Sequence, residues 1–191
     1  MMRNRAILLA IALIAAQPVF AAVPSPTGQT APAADLEKDG AAQAVAIFLN
    51  CAHYGNDVSG VRKWATQNGF AEAPPDQAKP FLLGKAGKTY GGNTPSGELV
   101  LASQDDGVCT VFAGHAEGKR VLRTFETLLT QNGFTFSHAH PIEHSGRGGL
   151  VVVSRNYSVR GKGVPWHAVI SITTAGASRF EAVLTAYRAK H

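Results

Sequence analysis

Three histidines crowd one short stretch, His138-Ala139-His140-Pro141-Ile142-Glu143-His144. Two histidines one residue apart point to the same side of an extended chain, a spacing that zinc and copper sites use. His144 or Glu143 would add a further ligand. Methionine occurs only as Met1 and Met2, ahead of any mature domain, which excludes a thioether copper site. Pro141 interrupts the extended geometry, so the competing reading is a polar loop.

A second set of residues could act through charge. From His144 to Phe180 there is no Asp or Glu, while the same stretch carries Arg147, Arg155, Arg160, Lys162 and Arg179. Arg147, Arg155, Arg160 and Lys162 on two paired strands would form a positive patch. It would attract anionic envelope components such as lipid head groups or cell-wall polymers, or an acidic envelope protein. The alternative is a solvated hairpin whose cations discourage edge pairing. Nucleic acid is a poor fit, because aromatic residues are not interleaved with the cations.

Catalytic signatures are sparse. No Gly-x-Ser-x-Gly elbow occurs, and His115 or His167 with Ser154 or Asp106 would be an arbitrary triad. His167 alternates with Trp166 and Ala168, which places it toward solvent or a helix edge. Glu98, Asp105, Asp106 and Glu117 all fall near turns, without the definition of a glycosidase pair. Gly84-Lys85-Ala86-Gly87-Lys88-Thr89 is superficially a phosphate loop, but Leu82 stands where its first glycine is needed.

The only cysteines are Cys51 and Cys109. An even count and an exported context predict one intramolecular disulfide. It would close a loop of ~60 residues and stabilise the fold by roughly 4 kcal/mol in the chain-entropy treatment.

The elements that must position these residues follow from periodicity. Ala42–His53 is a helix with Val45, Phe48, Leu49 and Ala52 as its stripe, and a second runs from about Val58 to Asn68. Ala73–Lys79 is a Pro-containing connector with room for one helical turn, and Thr89–Thr94 is Gly-rich, a turn or an edge strand. Gly97–Ser103 and Val108–Ala113 form a hairpin around Asp106-Gly107. A third helix presents Val121, Leu122, Phe125, Leu128 and Leu129. Phe134–Ser137, Gly149–Tyr157 and Trp166–Thr173 read as strands. The chain closes with a helix, capped by Ser178 and Glu181, with Phe180, Val183, Leu184 and Tyr187 as its apolar face. Arg188 and Lys190 would sit at its negative end. Thr66-Gln67-Asn68-Gly69-Phe70 recurs as Thr130-Gln131-Asn132-Gly133-Phe134. Both copies end an amphipathic helix and read as capping units rather than a duplicated ligand motif. The expected fold is α+β: a mainly antiparallel sheet of about five strands, helices packed on one face, and one disulfide.

Arg3 and Arg5, the apolar run Ala6–Ala16 and the small residues of Val19-Phe20-Ala21 form the three parts of a Sec-type secretory signal. The apolar run is too short to cross a bilayer. The expected division is a signal peptide over 1–21, an Ala/Pro/Thr-rich disordered leader over 22–40 and an α+β domain over 41–191, exported to the periplasm or beyond. The chain carries 18 basic and 13 acidic side chains; loss of Arg3 and Arg5 leaves 16 against 13, only mildly basic.

Phe48-x-x-Cys51, then Trp64 and a Gly-Phe helix end, then Gly97-x-Leu99 and Gly107-Val108-Cys109-x-Val111 carry a resemblance across about residues 41–112. The pattern is similar to a broad group of small exported proteobacterial proteins of unknown function. The resemblance implies a disulfide-tied exported domain and brings no activity with it. Three functional readings follow, in this order. The first is an exported binding or interaction protein that contacts an anionic envelope component or an envelope protein. The second is a zinc or copper protein using His138, His140 and His144. The third is a small hydrolase whose site the sequence does not specify.

Overall fold

The computed structural model describes residues 39–188 apart from Pro95, Lys162 and Val164. The expected signal peptide, almost all of the expected leader, Lys162 and Lys190 lie outside the described residues.

Helix α1 (Gly40–Tyr54) starts where Asp39 accepts hydrogen bonds from the amides of Ala41 and Ala42, at 3.1 and 3.3 Å. Ala44, Val45, Phe48, Cys51 and Ala52 are its buried stripe. Helix α2 (Val58–Gln67) is capped by Asp57, which accepts from the Gly60 amide. Strand β1 (Ala71–Glu72) leads into helix α3 (Pro75–Leu82), then β2 (Gly87–Thr94), β3 (Gly97–Gln104) and β4 (Cys109–Ala113). Helix α4 (Gly118–Gln131) buries Val121, Phe125 and Leu129. Strands β5 (Thr135–His138), β6 (Ile142–Ser145), β7 (Val151–Arg160), β8 (Trp166–Ala175) and β9 (Ala182–Tyr187) complete the sheet.

The fold is α+β, and every strand pairing is antiparallel. The order is β1-β2-β3-β4-β9-β8-β7-β5, with β6 also on β7. Nine strands replace the five expected. Gly-rich β2 pairs with β3 along its whole length, from Gly87↔Gln104 to Thr94↔Gly97. Its propensity is poor, but the ladder of a strong neighbour compensates. The helical turn allowed within the Ala73–Lys79 connector extends to the eight-residue α3, which starts with Pro75 in its first turn, where the missing amide costs nothing.

The closing helix is also overturned. Residues 182–187 form β9, in the middle of the sheet between β4 and β8. Ser178 Oγ donates to Phe180 O and caps no helix. The segment satisfies two periods at once. Val183, Leu184 and Tyr187 suit a helix, while buried Ala182, Leu184 and Ala186 alternate with Val183 and Thr185 as in a strand. The vacant ladder edges of β4 and β8 decide it: Leu184 pairs with Val111 on one side and Ile170 on the other, and all three are fully buried.

Helices α1, α2 and α4 share one face of the sheet, around Phe48, Phe125, Tyr157 and Trp166. Phe125 meets Phe48 and Tyr157 edge-on at 5.7 and 5.0 Å, the preferred aromatic geometry. The expectation of a single helix face is corrected by α3. It packs Ala78 and Leu82 against Ala102 on the opposite face, beside a Phe81–Phe112–Phe180 cluster.

The repeated pentapeptide ends α2 and α4 identically. The Phe70 amide donates to Ala65 O at 3.1 Å and the Gly69 amide to Thr66 O at 3.2 Å; Phe134 and Gly133 do the same to Leu129 and Thr130. Gly69 and Gly133 have φ of 81° and 74°. This is the Schellman arrangement, in which a left-handed glycine lets the last carbonyls find donors.

The disulfide joins Cys51 of α1 to Cys109 of β4 with a Cα–Cα distance of 6.1 Å. Among the described residues no helix is long and apolar enough to cross a membrane.

Candidate ligand-binding cleft

The residues singled out in the sequence are dispersed by the fold. His138 pairs with Tyr157 in the ladder and shares the helix-covered face, whereas His144 pairs with Val152 on the other face. His140 lies in the exposed link between β5 and β6. Among the described residues no group of three or more His, Cys, Asp or Glu side chains could hold a metal. The three histidines are therefore not brought together: β5 and β6 run in the same direction along β7, and a one-residue shift in register between them puts His144 on the opposite face from His138.

Arg155 points into the helix face and is consumed there. Its Nη1 donates to Glu126 of α4 at 3.1 Å, and Tyr157 Oη donates to the same carboxylate oxygen at 2.7 Å. Burial, and then the Glu126 hydrogen bond, push the Tyr157 phenol well above its ordinary value. Arg147 and Arg160 flank opposite ends of β7, on the order of 30 Å apart at 3.3 Å per residue. Both are exposed. The described members of the proposed cationic patch therefore do not converge. His167 Nδ1 lies 3.3 Å from Ser158 Oγ, and Ser154 Oγ lies 2.8 Å from Ser171 Oγ. Neither contact includes a carboxylate, so neither makes a triad.

A different set of residues does converge. The last turns of α1 supply Leu49, Asn50, Ala52 and His53. The second pentapeptide supplies Asn132 and Phe134 from the end of α4. Gly161 and Gly163 come from the β7–β8 turn, Trp166 from the start of β8, and Arg188 from just beyond β9. Together they enclose a cleft of about 310 Å³. That is the lower end of the range for small-molecule sites.

Each wall is held by a local requirement. A Cβ on Gly161 would collide with the Phe134 ring, so glycine lets the turn lie on the aromatic wall. A Cβ on Gly55 would collide with the Arg188 guanidinium, and Gly55 has a φ of 55°. The residue that ends α1 thus leaves the seat for Arg188. There the cation lies beside the negative end of the α1 dipole. The floor behind it holds the disulfide: Cys51, Cys109, Gly55, Gly107, Trp166 and Arg188 line an adjoining crevice. Cys109 pairs with Ala186, two residues before Arg188, so the covalent tie sets α1 and Arg188 relative to each other.

The charge of the cleft is one-sided. Among the described residues no Asp or Glu lines it. Arg188 makes no ion pair among the described residues, and its Nε is buried without a hydrogen-bond partner. The other described arginines with a buried unpartnered Nε, Arg62 and Arg155, each place a guanidinium nitrogen on a carboxylate, of Asp105 and Glu126. An unpaired guanidinium in a recess is a donor set for an oxyanion. Sequence reasoning missed Arg188 because it placed the residue at the end of a helix. The signal that could have found the cleft is the second pentapeptide, whose Asn132 and Phe134 cap α4 and line the cavity at once.

Comparison with known proteins adds no relative: no family model, curated protein or solved structure matches the chain.

Proposed function

We propose that this chain is an exported binding protein whose cleft receives the anionic group of a small ligand. Export rests on the N-terminal signal pattern and accords with the disulfide. The observation that carries the binding reading is Arg188, unpaired in an acid-free recess with an aromatic floor. Binding is favoured over catalysis because, among the described residues, the lining offers His53 as its one imidazole with no Ser or Cys nucleophile beside it and no carboxylate to orient it. This reading keeps the anionic ligand chemistry expected from the sequence and moves it from the dispersed hairpin cations to the cleft.

The test is a thermal-shift survey of small organic acids against neutral compounds of matched size. A ligand that binds only the folded state raises the melting temperature by mass action. We expect acids to raise it in the wild type and to lose that effect in Arg188→Gln. Equal shifts in the two proteins, or no shift with any acid, would overturn the reading.

A further inference from the structure

We infer that the ligand is a small carboxylic acid that carries its own N–H or O–H donors; this deepens, and rests on, the reading of the cleft given above. The inference comes from two asparagines of the lining, one in the last turns of α1 and one at the end of α4. Asn50 Nδ2 donates to Ala46 O at 2.9 Å, and Asn132 Nδ2 donates to Leu128 O at 2.8 Å. Each is a bond from a side-chain amide to the carbonyl four residues earlier on its own helix. Only the nitrogen end of an amide can face a carbonyl. Both side chains are therefore tethered by nitrogen, and Oδ1 is the end left over. Neither Oδ1 accepts a hydrogen bond from a described residue, and both residues line the cleft.

The recess thus offers one fixed cation and two tethered acceptors. The guanidinium fork matches a carboxylate. The amide oxygens reward N–H or O–H groups on the rest of the ligand and repel a second anion near them. A simple acyl or aryl acid would satisfy the arginine but leave both acceptors to water, gaining nothing from them. The volume, about 310 Å³, equals about ten waters at ~30 Å³ each. That is the scale of an amino acid or a sugar acid rather than a polymer segment. Trp166 and Phe134 supply the surface for the ligand's apolar part.

Three probes separate the alternatives by titration calorimetry on the purified full-length protein: phenylacetate, L-phenylalanine and D-glucuronate. Phenylacetate has the acid without donors, phenylalanine adds an ammonium, and glucuronate adds hydroxyls. We expect phenylalanine or glucuronate to bind at least about tenfold more tightly than phenylacetate, and the preferred one identifies the donor type. Asn50→Ala, which suits a helix position, should shrink that advantage about fivefold, the effect of one neutral hydrogen bond. If phenylacetate binds as tightly as both others, or if Asn50→Ala leaves the advantage intact, the ligand class is wrong. The anion reading would survive that result provided Arg188→Gln still abolishes phenylacetate binding. Binding of none of the three overturns the ligand class, and the thermal-shift survey then shows whether the anion reading has failed with it.

Discussion

At the residue scale, the chain separates two kinds of arginine. Arg155 is enclosed with Glu126 and Tyr157, and its charge is used up in joining α4 to β7. Arg188 has no such partner. The sequence does not distinguish them, because both follow a hydrophobic run and neither has an acid at helical spacing. Tyr157→Phe should cost about 1 kcal/mol, the net worth of one hydrogen bond, since Glu126 keeps its bond to Arg155. Urea denaturation measures that loss. The raised phenol also links stability to pH. The folded state favours the neutral form, so this contribution is complete below the unfolded value near 10.0 and is lost as pH rises above it. Unfolding measured between pH 9 and 11 should therefore fall less steeply in Tyr157→Phe than in the wild type.

At the element scale, the two pentapeptides show how far local chemistry reaches. Asn-Gly-Phe ends both α2 and α4 by the same hydrogen bonds, and the repeat was legible as a cap because its donors and acceptors lie within six residues. Gly69→Ala and Gly133→Ala should each cost about 1 kcal/mol, because both positions have positive φ and open space around the missing Cβ. Near-equal losses in thermal unfolding would show two equivalent caps. An undiminished ligand affinity in Gly133→Ala would show that the wall needs Asn132 and Phe134 but not the glycine. Strand β9 marks the opposite limit. Its residues fit two periods, and no local signal chooses between them. Leu184→Ala should cost 2–5 kcal/mol, the range for a leucine buried on both sides in a core. A loss below 1 kcal/mol would mean that β9 is not the central strand.

At the scale of the whole molecule, the sheet is two meanders joined by the return of β9. The first runs β1 to β4, the second β5 to β8, and β9 comes back to pair with β4 as well as β8. The Cys51–Cys109 bond fastens α1 to that join. Cys51→Ser should destabilise the protein by about 4 kcal/mol under oxidising conditions, the entropy of a 58-residue separation in the chain model. Guanidinium denaturation with and without reductant measures it, and a reductant-insensitive wild type would contradict the assignment. The same variant should bind acids more weakly, because the disulfide lies behind the cleft and sets α1 against Arg188.

What the sequence determined by itself was whatever closes over a few residues or is specified by pairing chemistry. The stripes of α1, α2 and α4 follow from helical periodicity, the β3–β4 hairpin from Asp106-Gly107, both helix ends from Asn-Gly-Phe, and the disulfide from a lone cysteine pair. The α+β class follows from these. The tertiary structure alone decided the nine-strand order, the strand at residues 182–187, the placement of α3 on the far face, and the cleft. Each depends on partners far apart in the chain: β9 on vacant edges at β4 and β8, and Arg188 on a glycine more than a hundred residues earlier. Short-range propensity carries no information about such partners, whereas the burial of backbone and side chains together selects among them.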